Sequence, residues 1–231
     1  MSSQQEMIDR IIEFSQQFNP VSTFLYGSQA SGEATPGRDS DYEVGLVFDD
    51  DKYVSRREIK SKQDFTNVSI YPFRLGELKN YSLNTPFPKK LFVLQLAKIA
   101  KTIAGDDVIS RVNLPKISKS DLIGMVEFEL GVAFCSFLIM RRGDNFLAND
   151  EFSKSCLFGL QAFIMDQQGI FLTKYQEIYD YSKNLDLPDK YRAVIDAAYN
   201  FRQGEDEIDQ NLIYENMSFL NHILQEILAA K

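Results

Sequence analysis

The stretch Phe24–Leu25–Tyr26–Gly27–Ser28, followed after twelve residues by Asp41–Tyr42–Glu43–Val44, decides the reading of this 231-residue chain. Val21 to Tyr26 is a short apolar β-type run that ends at the Gly27–Ser28 pair. A Gly-Ser pair where a strand opens into a helix lets backbone amides and a hydroxyl come close to phosphate oxygens. Tyr42 to Phe48 is a second apolar run, interrupted by Gly45. Asp41 and Glu43 lie two apart at its start, and on a strand that period turns both carboxylates to one face. Two anionic oxygen donors on one face suit Mg²⁺. Metal so placed bridges a nucleoside triphosphate and stabilises a departing pyrophosphate. A lone Gly-Ser carries no such meaning, and a lone Asp-x-Glu is ordinarily a solvated strand edge; it is the ordered combination, with apolar flanks, that signifies.

Outward from this centre the chain divides by character. Ser3 and Glu6 have capping-box spacing, and Met7, Ile8, Ile11, Phe14 and Phe18 recur at helical intervals up to Asn19–Pro20. Gln29 to Ser40 is rich in small residues and reads as a loop, punctuated by Gly32, Pro36 and Gly37. Asp49 to Asp51 reads as a solvated turn, Asn67 to Phe73 as a third strand, Leu75 to Asn80 as a short helix, Leu91 to Ala97 as a helix, and Lys101 to Ala104 as a fourth strand. Past Pro115 the β signal ends. Asp121 to Arg141, Phe152 to Asp166, Thr173 to Lys183, Lys190 to Arg202 and Glu207 to Ala230 read as amphipathic helices. The predicted architecture is α+β: a mixed-sheet domain over residues 1–117 and a C-terminal helical bundle over 118–231.

Composition narrows the partners. The formal net charge is −8 with a pI near 4.8, which disfavours a long nucleic acid, since that affinity comes from cations set against phosphates. An acidic cleft instead concentrates small cationic substrates. Cys135 and Cys156 are far apart in sequence and belong to no metal-binding spacing, so both read as buried free thiols in a reducing cytoplasm. The polar N-terminus has no apolar signal core, and no apolar run approaches the ~20 residues that span a bilayer; a cytoplasmic protein without a membrane partner is expected. His222 is the only histidine and reads as a packing or surface residue. Lys89–Lys90 read as solvated.

The Tyr26–Gly27–Ser28 and Ser40–Asp41–Tyr42–Glu43 segments resemble the signature of the DNA polymerase β-like nucleotidyltransferases, and within them the kanamycin and aminoglycoside nucleotidyltransferases, including Glu in the second acidic place. The helical half is similar in size and order. The resemblance implies a mixed-sheet catalytic domain, Mg²⁺ as cofactor with ATP as co-substrate, transfer of AMP to a hydroxyl of a small substrate, and a homodimer. It assigns nucleotide binding to Gly27 and Ser28, the metal to Asp41 and Glu43, and the general base to Glu129, with Glu127 as rival. The apolar neighbours Met125, Val126, Val132 and Ala133 are expected to raise the Glu129 pKa.

Three departures from the family pattern stand out. The third carboxylate falls at Ser69, the basic residue after the Gly-Ser turn is missing, and the family's phosphate-contacting lysine falls at Ala133. Ser69 opens the reading of a nucleotide-binding pseudoenzyme. An antitoxin-type nucleotidyltransferase that modifies a partner protein is the other alternative, ranked ahead of the pseudoenzyme.

Overall fold

A computed structural model of the protein describes residues 4–34, 41–204 and 208–230. These fall into two compact units that divide between Lys116 and Ile117. The first is organised around a four-stranded mixed sheet. Helix α1 (Gln4–Gln16) leads into β1 (Ser22–Tyr26), α2 (Gly27–Ser31), β2 (Tyr42–Phe48), α3 (Arg56–Lys62), β3 (Val68–Arg74), α4 (Leu75–Lys79), α5 (Lys89–Ile99) and β4 (Lys101–Gly105), with a 3₁₀ turn at Ile109–Arg111. The strand order is β3-β2-β1-β4. β1 runs antiparallel to β2 and β4, whereas β2 and β3 are parallel, because α3 carries the chain back before β3 begins.

Period-2 alternation sorts the strand residues onto two cores. Leu25, Val44, Leu46, Phe48, Val68 and Ile70 face α1 and α3, packing with Ile11, Phe14 and Ile59. Phe24, Tyr26, Val47 and Phe73 face α4 and α5, packing with Leu78, Val93 and Leu96. Gly45 is required by the second core: a Cβ there would lie 2.1 Å from the Phe24 ring, so the glycine inside the strand makes room for an aromatic from β1.

The second unit is helical: α6 (Lys119–Arg141), α7 (Asn145–Gln168), α8 (Tyr175–Ser182), α9 (Asp189–Arg202) and α10 (Gln210–Ala229). Ser118 caps α6 by accepting from the Asp121 amide, completing a capping box. Helix α7 is central, with thirteen buried residues, and packs against α6, α8, α9 and α10. Gly159 of α7 lets Leu220 of α10 seat against the helix backbone, since a Cβ would lie 2.1 Å from Leu220 Cδ2. Arg202 of α9 grips α7, donating to Asp150 Oδ1 and to the Asp150 carbonyl at 2.8 Å each.

Several expectations need correction. The predicted loop from Gln29 begins inside α2, which runs to Ser31 and closes on the left-handed Gly32. Ser3, residues 35–40, which include Pro36, Gly37 and Ser40, and Glu207 lie outside the described residues. Helix α3 was not foreseen at all. Helix α7 starts at Asn145, capped by Asp144, rather than at Phe152. Asp50 is more than a solvated turn residue, accepting from the Gly76 amide at 2.9 Å. Cys156 is buried but Cys135 is exposed. Helix α6, contrary to expectation, is long and apolar enough to cross a membrane by length and composition alone; in the fold it packs against α7 and α10.

Candidate active site

The edges of three strands bring the motif together. Tyr26, the last residue of β1, pairs with Glu43 of β2, and Glu43 pairs with Ser69 of β3. Residues paired in this way share a face, so Tyr26, Glu43 and Ser69 form one row across the sheet. Asp41 is exposed and precedes β2 by one residue. Ser69 therefore occupies the place beside the acidic pair where the resemblance puts a third carboxylate.

Gly27 turns the chain from β1 into α2 with φ of +69°, a left-handed conformation that glycine adopts without steric penalty. A Cβ at Gly27 would lie 1.8 Å from Glu43 Oε2. The expected reason for glycine was free approach of a phosphate; the nearer reason is the Glu43 carboxylate itself, which packs against the Gly27 backbone. The Ser28 carbonyl accepts from the Gly32 and Glu33 amides at 3.0 and 2.9 Å, which fixes the turn that follows.

Aromatic and cationic side chains surround the row. Tyr26 is 7% exposed and meets Tyr71 edge-on at 6.2 Å between ring centroids. Burial pushes the Tyr26 phenol well up; the nearby charge of Glu43, then Tyr71, adds to this, and Arg56 opposes it. The Arg56 guanidinium, at the start of α3, lies 4.1 Å over the Tyr71 ring. Sequence reasoning missed Arg56 together with its helix. The available signal was Ser55-x-x-Glu58, for Ser55 Oγ accepts from the Glu58 amide at 3.2 Å and caps α3.

Asp41 and Glu43 are a pair, not a cage: among the described residues no group of three or more His, Cys, Asp or Glu stands ready to hold a metal ion. This donor set still fits Mg²⁺ delivered with a nucleotide, because such ions are commonly held by one or two carboxylates and completed by substrate phosphates.

No family model and no curated protein matches the chain. Among solved structures, it is similar to the spectinomycin adenyltransferase AAD(9) from Enterococcus faecialis, solved with ATP and spectinomycin. The TM-score is 0.66 over 96% of this chain and 100% of that one, at 15% identity. The chain shares the fold of that adenyltransferase. A nucleotidyltransferase-like protein from Exiguobacterium sibiricum matches at a TM-score of 0.32 and 12% identity, covering 96% and 75% of the two chains.

The other predicted residues sit in the helical unit. Glu129 of α6 is 2% exposed. Burial pushes its carboxyl well above the usual range, Glu151 adds to the rise, and Lys154 opposes it; Glu151 and Lys154 both belong to α7. Its rival Glu127 is exposed, and Ala133 is buried in α6. His222 stacks on Tyr191 at 5.2 Å and lines a cavity of about 500 Å³ with Phe163, Asp186, Asp189 and Glu226. Lys89 and Lys90 open α5.

Proposed function

We propose that this protein is a nucleotidyltransferase that moves AMP, or another nucleoside monophosphate, from Mg-NTP to a hydroxyl of a small substrate. The observation that supports it best is the row Tyr26–Glu43–Ser69 with Gly27 packed against the Glu43 carboxylate. The Gly-Ser turn and Glu43, far apart in sequence, thereby meet at one end of the sheet. Asp41 and Glu43 would hold Mg²⁺, and the ion would neutralise charge on the triphosphate and on departing pyrophosphate. Gly27 keeps the Glu43 carboxylate in place, and the Ser28 hydroxyl and the turn amides would orient phosphate oxygens. Glu129 keeps the role of general base that the resemblance gives it. A carboxyl held protonated by burial accepts a proton only above its raised pKa, so turnover through Glu129 would grow toward alkaline pH.

The reading extends the likeness to an enzyme solved with ATP and spectinomycin, which makes aminoglycoside-like and related antibiotics the first acceptors to try. The test is pyrophosphate release from Mg-ATP across a panel of aminoglycosides, spectinomycin, lincosamides and candidate proteins, with Asp41→Asn alongside. Release that depends on one acceptor and vanishes in the variant supports the proposal; undiminished release by Asp41→Asn sinks the metal assignment. Ser69 favours a second reading, a nucleotide-binding protein without efficient transfer, since a hydroxyl is a far weaker Mg²⁺ ligand than a carboxylate. In that case Mg-ATP binds and no acceptor in the panel releases pyrophosphate.

A further inference from the structure

We infer that Arg56 is a binding residue for the phosphates of the nucleotide, supplying from α3 the cation that the Gly27–Gly32 turn lacks. The inference rests on the nucleotide reading above and concerns the first unit alone.

The turn from Gly27 to Gly32 contains no lysine or arginine, and the row beside it contributes Glu43 and Ser69. From the turn and the row themselves a triphosphate would meet carboxylates through its metal and no cation, so its outer oxygens call for a positive group from a neighbouring element. Among the described residues, Arg56 brings a guanidinium to this face. It is exposed, rests 4.1 Å above Tyr71, and Tyr71 lies two residues along β3 from Ser69 on the same side of the strand. Tyr71 in turn meets Tyr26, whose strand partner is Glu43. The charge of Arg56 is thus carried to the tyrosines that flank the acidic row.

Its present contact is consistent with release to a ligand. Among the described residues Arg56 makes no ion pair, and a cation–π contact at an exposed site is worth only about 0.5–1 kcal/mol. A guanidinium offers five donors in a planar fork that matches phosphate oxygens two at a time, and such charge-assisted pairs are stronger than the contact they would replace. Tyr71 serves as the perch that holds the side chain extended over the face when no nucleotide is bound, which reduces the ordering cost of binding. Arg57, the next residue, has no such perch among the described residues and makes a control.

The experiment is equilibrium binding of Mg-ATP, Mg-ADP, AMP and adenosine to the full-length protein, wild type against Arg56→Gln, Arg56→Lys, Arg57→Gln and Asp41→Asn, with thermal unfolding of each. We expect Arg56→Gln to weaken Mg-ATP about ten- to a hundredfold, to leave adenosine and AMP within about twofold, and to leave the melting temperature unchanged. Arg56→Lys should recover part of the loss, and Arg57→Gln should bind as wild type. Equal affinity of Arg56→Gln and wild type for Mg-ATP overturns the inference while the nucleotide reading stands. Equal weakening of ATP and adenosine also overturns it, since the effect is then not on phosphates. A wild type that binds Mg-ATP no better than Asp41→Asn brings down the nucleotide reading and this inference with it.

Discussion

At the scale of single residues the candidate site is governed by close approaches. Gly27→Ala would place a methyl where Glu43 Oε2 now sits, 1.8 Å from the new carbon, at a φ of +69°. The backbone strain alone costs about 1–2 kcal/mol, and the displaced carboxylate would leave the position from which it is proposed to hold Mg²⁺. The expected result is a folded protein whose Mg-ATP binding, followed by titration calorimetry, falls at least tenfold; binding equal to wild type would show that the Gly27–Glu43 contact is incidental. Ser69 is the complementary case, adding a ligand rather than moving one. Since Ser69 stands directly beside Glu43 in the parallel register, Ser69→Asp should raise pyrophosphate release at low Mg²⁺ once an acceptor is found. A wild-type rate that is already high at low Mg²⁺ and unchanged by the substitution would show that the third ligand is not needed. That Glu43 and Ser69 lie on strands was legible in the sequence because apolar flanks and strand period mark β2 and β3, whereas Asp41, read as part of the second strand, precedes it by one residue. Arg56 was not legible, because its contact with Tyr71 is tertiary and no spacing rule joins two residues across a crossover helix.

At the scale of elements the legible and the illegible separate for the same physical reason. Strands β1 to β3 and the long helices bury apolar side chains, so their periods show in the sequence. Helix α3 buries one residue, Ile59, out of seven, and α2 buries only Ala30; neither writes a stripe. Helix packing was equally hidden, because a glycine in an amphipathic run says nothing about what presses on it. Gly159 tests that packing directly. With Leu220 fully buried and its Cδ2 2.1 Å from the added Cβ, Gly159→Ala overfills the α7–α10 crossing. A loss of about 1–3 kcal/mol in urea unfolding is expected. Pairing it with Leu220→Val should return part of that loss, and strict additivity of the two changes would show that the crossing does not depend on this contact.

For the whole molecule, one buried carboxyl ties stability to pH. Glu129 is 2% exposed, and burial, followed by Glu151 and opposed by Lys154, holds its folded pKa well above the usual range. In the unfolded chain the same group ionises near pH ~4.3. Between those two values the folded protein binds the extra proton, so unfolding releases it and rising pH favours the unfolded state. The stabilising effect of the neutral carboxyl is complete below the unfolded value and is lost as pH rises through the folded one. Asp150 acts in the opposite sense: burial pushes it up, but Arg202 and Lys154 outweigh burial and hold it below the usual range, so its contribution is present at neutral pH and lost in acid. Comparing wild type with Glu129→Gln cancels the Asp150 term, which is common to both, and isolates Glu129. The two melting temperatures should nearly coincide at pH 4, and the amide variant should become progressively the more stable as pH rises toward 8. If Glu129 is also the base, turnover of the wild type should climb across the same interval, so that one titration reads out as gained activity and lost stability together. Melting curves that stay parallel from pH 4 to 8 would show that Glu129 ionises alike in the folded and unfolded chain, and the alkaline rise in turnover would then need another group.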